Sequence, residues 1–502
     1  MENYRLKYLL GLIVCVMIIL TSCDVLEQPA EDFIELDQYF QDENEAIAAV
    51  NAISDEAWDT KIGSLSQHGH RSSDEVTNPT YWVNERQREI NEYRMDGSNI
   101  EVERHWRQHY RYIVMANLVI TRVANMTPDQ ISQEVKDWVM GEAYVWRADS
   151  YFKLVTLFGN IPIILTDNME GLEIEVPESP VEDVYALIIS DLEEAERLLP
   201  AEFTGSDRGR PIETTATAYL SRVYMQQRNW EKGAEYAKKV IDSGRHWLYD
   251  DFKHAFSPLF ENGPEHIWSF QIARQPIGRG SNNAWFFAAP RGSNVLEDFR
   301  GGLASYVPTI EAFNVFEEDD YRREVSFMTE YVDNDGNTIQ WQNFDAPVPH
   351  IYKFNDRTLS WEENQDVNRP LIRYSDILLL YAEAMNELGL TDQGLPYLNM
   401  VRERARNGDP NAAPQDYPMG MSQNDFRDAV HLERRLELVF EGHRVRDLLR
   451  WGTLVESIRA LSDPADGAPN PADYIQEHHI LWPKPTTQIE LNPLLNQNPG
   501  YD

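Results

Sequence analysis

Tyr381-Ala-Glu-Ala-Met-Asn-Glu-Leu-Gly389, followed by Gly394-Leu-Pro-Tyr-Leu398, sets small and aromatic residues at the offsets where two antiparallel helices meet closely. The pattern has an upstream counterpart in the same register. Leu220, Tyr224, Asn229-Trp230, Glu235-Tyr236 and Ile241 match it without a gap, with Gly233 where alanine is usual. One such tetratricopeptide-like unit cannot bury its apolar face alone, so two of them imply helix pairs stacked into a superhelical scaffold.

Outward from these units the same helical periodicity continues toward the N-terminus. Ala46, Val50, Ile53 and Ala57 fall on one face of a first helix, and Val114, Leu118, Val119 and Val123 on one face of a second. A third, Val135 to Phe158, carries Val139, Ala143, Trp146 and Ser150 on one stripe. It stops at Phe158-Gly159-Asn160-Ile161-Pro162, with glycine just past the end and proline shortly after. A fourth runs from Pro180-Val-Glu-Asp to Leu199-Pro200. Between about 246 and 370 periodicity weakens and Pro, Gly, Asn and aromatics crowd the chain. A structureless loop of that length does not suit a compact protein, so short strands, turns and functional loops are expected there. The fold class is therefore mainly α, a helical superhelix with an irregular, strand-bearing segment. Residues 39–245 form the N-terminal helical part, and 246–502 the C-terminal part with its loop-rich region, the two making one compact unit.

At the start, Arg5 and Lys7 precede the apolar run Leu9 to Leu20 and then Leu20-Thr21-Ser22-Cys23. The run is shorter than the roughly 18 residues of a spanning helix and has the flanks of a removable secretory signal. The tetrapeptide resembles a bacterial lipobox, which implies a signal over residues 1–22 and an acylated Cys23. Two acyl chains anchor stably because each buried methylene contributes about 0.8 kcal/mol. Residues 23–38 are acidic, contain proline and read as a flexible tether. Cys15 and Cys23 are the two cysteines, so the mature chain has no disulfide and must rely on its core. With 42% hydrophobic residues, 13 Trp, 24 Tyr and 19 Phe it has the material for one. The 45 basic and 83 acidic residues give a net charge of −38, which argues against nucleic acid and against a polybasic membrane patch.

Five segments in order give the chain a family resemblance. They are Cys23-Asp24-Val-Leu26-Glu-Gln-Pro29; Gly141-Glu-Ala-Tyr-Val-Trp-Arg147-Ala-Asp-Ser-Tyr151 with Phe158-Gly-Asn-Ile-Pro162; and Arg373-Tyr-Ser-Asp376 with Tyr381-Ala-Glu383. The fourth is Glu433-Arg-Arg435-Leu-Glu437 with Phe440-Glu-Gly442-His-Arg444 and Asp447-Leu-Leu-Arg450-Trp-Gly452. The fifth is the tail Asn492-Pro-Leu-Leu-Asn-Gln-Asn498-Pro-Gly-Tyr501. The chain resembles the SusD/RagB family of outer-membrane nutrient-binding lipoproteins over nearly its whole mature length. The resemblance implies a helical protein with four tetratricopeptide-like units, lipid-anchored to the outer face of the outer membrane. It also implies a SusC-like TonB-dependent transporter as partner and a glycan or oligosaccharide as ligand, with peptides for some members. No enzymatic activity, catalytic residue or cofactor comes with it.

Glu437 and Glu441 stand one helical turn apart, a spacing that puts them on one face, and invite comparison with a glycosidase acid pair. Arg435, Arg444 and Arg446 crowd them, and adjacent guanidinium groups keep carboxylates ionised, so an ion-pair lattice is the expected role. Asp333-Asn-Asp335-Gly-Asn337 starts like a calcium loop, but Thr338 and Phe344 stand where glycine and glutamate are needed, which favours a hairpin turn. His68-Gly-His70 and His478-His479 lack zinc-site spacing, and no metal site is expected.

The sharper expectation concerns loop aromatics. Sugar C–H faces stack on flat rings, while hydroxyls need planar amide, carboxylate or guanidinium partners. Two clusters offer both: Arg71-Ser-Ser-Asp74-Glu75 with Tyr81-Trp82-Val-Asn84-Glu-Arg86, and Arg279-Gly-Ser-Asn282-Asn283-Ala-Trp285-Phe286-Phe287. Asp74, Tyr81, Trp82, Asn84, Asn283, Trp285 and Phe286 are the candidate carbohydrate contacts, with Trp82 and Trp285 foremost. Trp268 and Trp341 are expected in the core. The expected function is capture of oligosaccharide at the cell surface for a TonB-dependent transporter. A peptide-binding relative is the alternative, and an anchored polysaccharide-degrading enzyme a weaker one.

Overall fold

Side-chain caps and apolar stripes set the first helices of the computed structural model, which describes residues 39–58, 73–82, 84–166, 175–273, 280–281, 287, 303–333, 335–356 and 365–501. They are α1 (Glu43–Glu56), α2 (Ile100–Asn125), α3 (Gln133–Phe158) and α4 (Val181–Leu198). Asp42, Asn99 and Ser132 accept hydrogen bonds from first-turn N–H groups of α1, α2 and α3, which have no partner within the helix. Ala46, Val50, Ile53 and Ala57, and on α3 Val139, Ala143, Trp146 and Ser150, are all buried, as their spacing predicts. Gly159 ends α3 at φ +70°, a conformation that favours glycine.

The phase of α2 differs from expectation. Its buried face runs through Ile113, Ala116, Val119 and Val123, while Val114 and Leu118 lie half-buried at the edge. Asn117 is the physical reason. Its amide donates to the carbonyls of Ile164 and Thr166, both at 3.0 Å, and its oxygen accepts from Arg147 at 2.8 Å. A buried asparagine with every group satisfied turns the helix away from the phase that hydrophobicity alone suggests.

Two helix pairs follow: α5 (Glu213–Gln226) with α6 (Trp230–Asp242), and α7 (Tyr374–Glu387) with α8 (Thr391–Ala405). They are structural counterparts as well as sequence ones. Arg228 (φ +57°) and Gly389 (φ +76°) stand 161 residues apart and occupy the same left-handed turn, and Gly233 and Gly394 have the same separation. A Cβ at Gly233 would lie 2.5 Å from the Met225 sulfur, and one at Gly394 2.8 Å from the Ala382 carbonyl oxygen. Glycine therefore stands in the alanine position because the paired helices touch there. Gly394→Ala is expected to destabilise by about 1–3 kcal/mol, since the opposing atom is backbone and cannot yield. An unchanged denaturation midpoint would show that the pair can spread at no cost.

The region after α6 supplies the expected short strands, β2 to β8, and the segment before α2 adds β1, all in antiparallel pairs: β1 (Val76–Thr77) with β3 (Val307–Pro308), β2 (His266–Phe270) with β8 (Arg369–Arg373), β4 (Phe327–Met328) with β7 (His350–Ile351), and β5 (Glu330–Val332) with β6 (Thr338–Gln340). Asp333 Oδ1 accepts from the N–H groups of Asp335 and Asn337 at 3.0 and 2.8 Å, and Gly336 adopts φ +83°. The β5–β6 connection is thus the hairpin turn expected. Strand β8 runs straight into α7, and Trp268 on β2 is buried against Trp146 and Tyr219. Trp341, expected in the core, is instead half-buried over Met328 and Phe344, because the two-stranded β5–β6 hairpin beside it gives cover on one side only.

One large core joins α1 to α8 with β2 and β8. A second, rich in phenylalanine, gathers Phe252, Phe256, Tyr306, Phe313, Phe327, Phe354 and Phe440. The tail locks onto the end of α3: Asn498 donates to the carbonyls of Phe158 at 3.0 Å and Trp482 at 2.7 Å. Among the described residues no helix is long and apolar enough to cross a membrane.

Candidate functional site

Helices α9 (Gln423–Glu437) and α10 (Arg444–Trp451) frame the first place where charge and aromatics meet. α9 stops at Glu437, and the chain turns through Phe440 (φ +65°) and Gly442 (φ +79°). Glu437 and Glu441 therefore do not share a helical face, contrary to the spacing argument. Their counter-charges also come from elsewhere. Arg322 reaches Glu433 at 2.5 Å and Glu437 at 3.3 Å, Arg373 reaches Glu437 at 2.9 Å and Glu441 at 2.6 Å, and Arg402 reaches Glu433 at 2.6 Å. Arg404 pairs with Glu437 and, at 2.9 Å, with Glu265, while Lys353 holds Glu441 at 2.8 Å. Burial alone would push the Glu437 carboxyl up, but Arg404, Arg373 and Arg322 hold it far below the usual range. Glu441 is likewise held low, against its burial, by Arg373 and Lys353. These carboxylates stay ionised and have no proton to donate, which makes them the expected lattice and poor general acids.

A second lattice uses other segments of the same motifs. Asp376 takes Arg222 at 2.7 Å and Arg434 at 2.9 Å, Asp447 takes Arg434 at 2.9 Å and Arg450 at 3.0 Å, and Glu383 pairs with Arg450. It ties α5, α7, α9 and α10 together.

Asp74, expected to contact ligand, has its carboxylate taken by two arginines. It is buried, both of its oxygens accept from Arg444 at 2.7 Å, and Arg435 stands 3.3 Å away. Burial would raise its pKa, but the Arg444 hydrogen bonds and charge, with Arg435, bring it below the ordinary value. Its lone pairs are committed, and it acts as a strut between the loop before β1 and α10. Arg435 and Arg444, expected beside Glu437, are the residues that hold it.

Glu75 next to it behaves oppositely. Burial pushes its carboxyl up to about 7, only partly offset by Arg444 and by the Phe440 N–H that donates to it at 3.2 Å. With the folded value above the unfolded one, the native state binds the extra proton between pH about 4.5 and 7. Stability from this group is complete below that window and is lost as pH rises through it. Glu75→Gln, which keeps the shape and removes the ionisation, is expected to be more stable than wild type at pH 7 and to lose that advantage by pH 5. Parallel denaturant titrations at the two pH values check this, and an equal offset at both would contradict it.

Above this strut sits the Trp82 loop. Trp82 N–H closes a turn onto Pro79 O at 3.0 Å, Thr80 donates backbone and hydroxyl hydrogens to Asp466 Oδ2 at 2.7 and 2.8 Å, and Tyr81 donates to Ala304 O at 3.1 Å. The indole N–H of Trp82 donates to Gln87 Oε1 at 3.2 Å, and the same oxygen accepts the Tyr306 hydroxyl at 2.9 Å. The rings of Trp82 and Tyr306 lie 6.4 Å apart, tilted by 52°, and Phe287 packs behind Tyr306. Gln87 and Tyr306 are buried, whereas Tyr81, Trp82 and Asn84 are half-buried. Asn84 caps the short helix Glu85–Asn91 by accepting from Gln87 N–H, which spends its amide oxygen and not its two donors. Trp82 is thus a flat ring fixed at its polar edge on a tied-down loop, with part of its surface open.

Asn283, Trp285 and Phe286 lie outside the described residues, as do Cys23, His68 and His70. His478 and His479 pack on Tyr501. Gln87, Tyr306 and Asp466, which organise the Trp82 loop, carried no sequence signal beyond Gln87 standing three residues after the cap Asn84.

The geometry has counterparts among known proteins. Residues 341–501 match the profile of the SusD family, and residues 30–225 match one described as starch-binding, associating with the outer membrane. SusD-like protein P2 of Formosa agariphila is 28% identical over the whole of both chains. A SusD homolog from Bacteroides thetaiotaomicron, known from its crystal structure, superposes with TM-score 0.81 at 23% identity, covering 94% of this chain and 99% of that one. A laminarin-binding SusD-like protein gives TM-score 0.74 at 22% identity, covering 92% and 100%.

Proposed function

We propose that the chain, which belongs to the SusD family, captures an oligosaccharide at the cell surface for a SusC-like TonB-dependent transporter. The observation that carries the ligand class is Trp82, with its indole N–H pinned by Gln87 and its ring half-open beside Tyr81 and Asn84. A ring held in advance loses little freedom on binding, and sugar C–H faces stack on such a surface. Tyr81, Trp82 and the Asn84 amide donors form the contact surface on this side, with Asn283, Trp285 and Phe286 as further contacts. Asp74 holds the loop and does not touch the sugar. The protein is a binder and not a hydrolase, a reading supported by carboxylates that remain ionised among arginines. Retardation in native gels containing a polysaccharide, with no release of reducing ends, is the test. Release of reducing ends by purified protein would overturn the non-catalytic reading, and failure to retard across a broad glycan panel would overturn the ligand class.

Anchoring falls to Cys23, the first residue after the signal. Cys23→Ala is expected to leave the folded protein intact and release it from the outer membrane, because no other acyl site follows the signal. Fractionation checks this, and an Ala variant that stays in the membrane pellet would contradict it.

A further inference from the structure

We propose that the groove between α2 and the C-terminal segment is a second binding site, for an amphipathic anion: an apolar chain ended by a carboxylate or phosphate. The groove holds about 710 Å³, within the roughly 300–1,000 Å³ of small-ligand sites. Arg104, Arg107 and Arg111 line it from α2. Their spacing of three and then four residues puts them on one edge of the helix. Val114 continues that face, and Ile164 and Leu491 supply further apolar wall.

Three observations point to the ligand. First, the chain carries a net charge of −38, yet this groove gathers three guanidinium groups on one edge. Second, Arg104 is paired with Glu101 at 3.0 Å and Arg111 with Glu56 at 3.3 Å, whereas Arg107 is exposed and has no ion-pair or hydrogen-bond partner among the described residues. Its planar fork is available to receive a carboxylate or phosphate on two donors. Third, the wall leaves apolar surface uncovered: Leu491 is 61% exposed.

A neutral sugar fits poorly. Its hydroxyls each need a partner, and apart from the arginines Gln108 and Gln488 are the lining side chains left to meet them, the Tyr110 hydroxyl being spent on Pro162 O at 2.8 Å. The Asn492 amide is already spent on Val176 O at 2.7 Å. Trp106 is 4% exposed and presents no stacking face, which leaves the half-buried Tyr110 as the one ring of the lining. An apolar chain covers the wall instead, and its charged end meets Arg107 at the edge.

Calorimetric titration with octanoate and with 1-octanol tests this on the full chain. Octanoate is expected to bind saturably and 1-octanol about tenfold more weakly or worse, since a hydrogen bond to a charged group is what separates them. Arg107→Glu and Leu491→Asp, both at exposed positions, should each weaken octanoate about tenfold or more with the melting temperature unchanged. Co-sedimentation with phosphatidylglycerol but not phosphatidylcholine vesicles, lost in Arg107→Glu, would identify the anion as a lipid headgroup. Octanoate binding without vesicle binding would identify a free acyl anion. No saturable octanoate binding, equal binding of octanol, or wild-type affinity in both variants would overturn the proposal.

Discussion

Glu437→Gln is expected to cost about 3–5 kcal/mol of stability, the loss typical when one partner leaves a buried ionic network and the others remain. Glu437 is fully buried and is the counter-charge for Arg322, Arg373 and Arg404 together. Those arginines arrive from a short helix (Tyr321–Ser326), from β8 and from α8, so one amide in place of one carboxylate loosens four elements at once. Glu441→Gln should do the same to a smaller extent, because its partners Arg373 and Lys353 keep other acceptors. Denaturant midpoints measure both effects. The acid limb should change too. Glu437 has a folded value below its unfolded one, so its contribution is complete above pH about 4.5 and is lost as pH falls toward the folded value. The Gln variant should therefore show a shallower loss of stability in acid than wild type. A fully stable Glu437→Gln protein would mean that the lattice is relaxed by water or by rearrangement.

Local pattern made much of this molecule legible in advance. The α1 and α3 stripes, the glycine stop at Gly159, the Asp333 hairpin and the two tetratricopeptide-like pairs each follow from residues close in sequence. The ionised state of Glu437 does not: Arg435, Arg444 and Arg446 argue for it in the sequence, but Arg322, Arg373 and Arg404 are the residues that hold it. What sequence could not give is which arginines do the work. Arg322 and Glu433 are separated by 111 residues, and Arg404 and Glu265 by 139, and no periodicity encodes such meetings. The same limit explains Asp74, a carboxylate beside an aromatic loop that folding carries to Arg444, 370 residues away. It explains α2 as well, where one buried asparagine outweighs the apolar count. At the candidate site the rings were visible but their supports were not. Gln87 bridges Trp82 and Tyr306 through a single oxygen, a contact spanning 219 residues on one side.

Trp82→Ala is expected to remove a binding contribution of about 1–3 kcal/mol, the usual loss for an aromatic hot spot. That is roughly tenfold or more in affinity. Stability should fall far less than for Glu437→Gln, because a half-buried ring leaves no closed cavity when it is removed. Gln87→Ala should weaken binding in the same direction, since it frees the indole edge and makes binding repeat the ordering that the fold now supplies. Its effect should be smaller, because the ring itself remains.

Calorimetric titration of wild type and Trp82→Ala with the polysaccharide that retards the wild-type protein, with thermal melts run alongside, bears most directly on glycan capture at this loop. Saturable wild-type binding that weakens about tenfold or more in a variant of nearly wild-type melting temperature is the expected result. Unchanged affinity together with a sharply lowered melting temperature would contradict it, making Trp82 a packing residue and placing the glycan elsewhere.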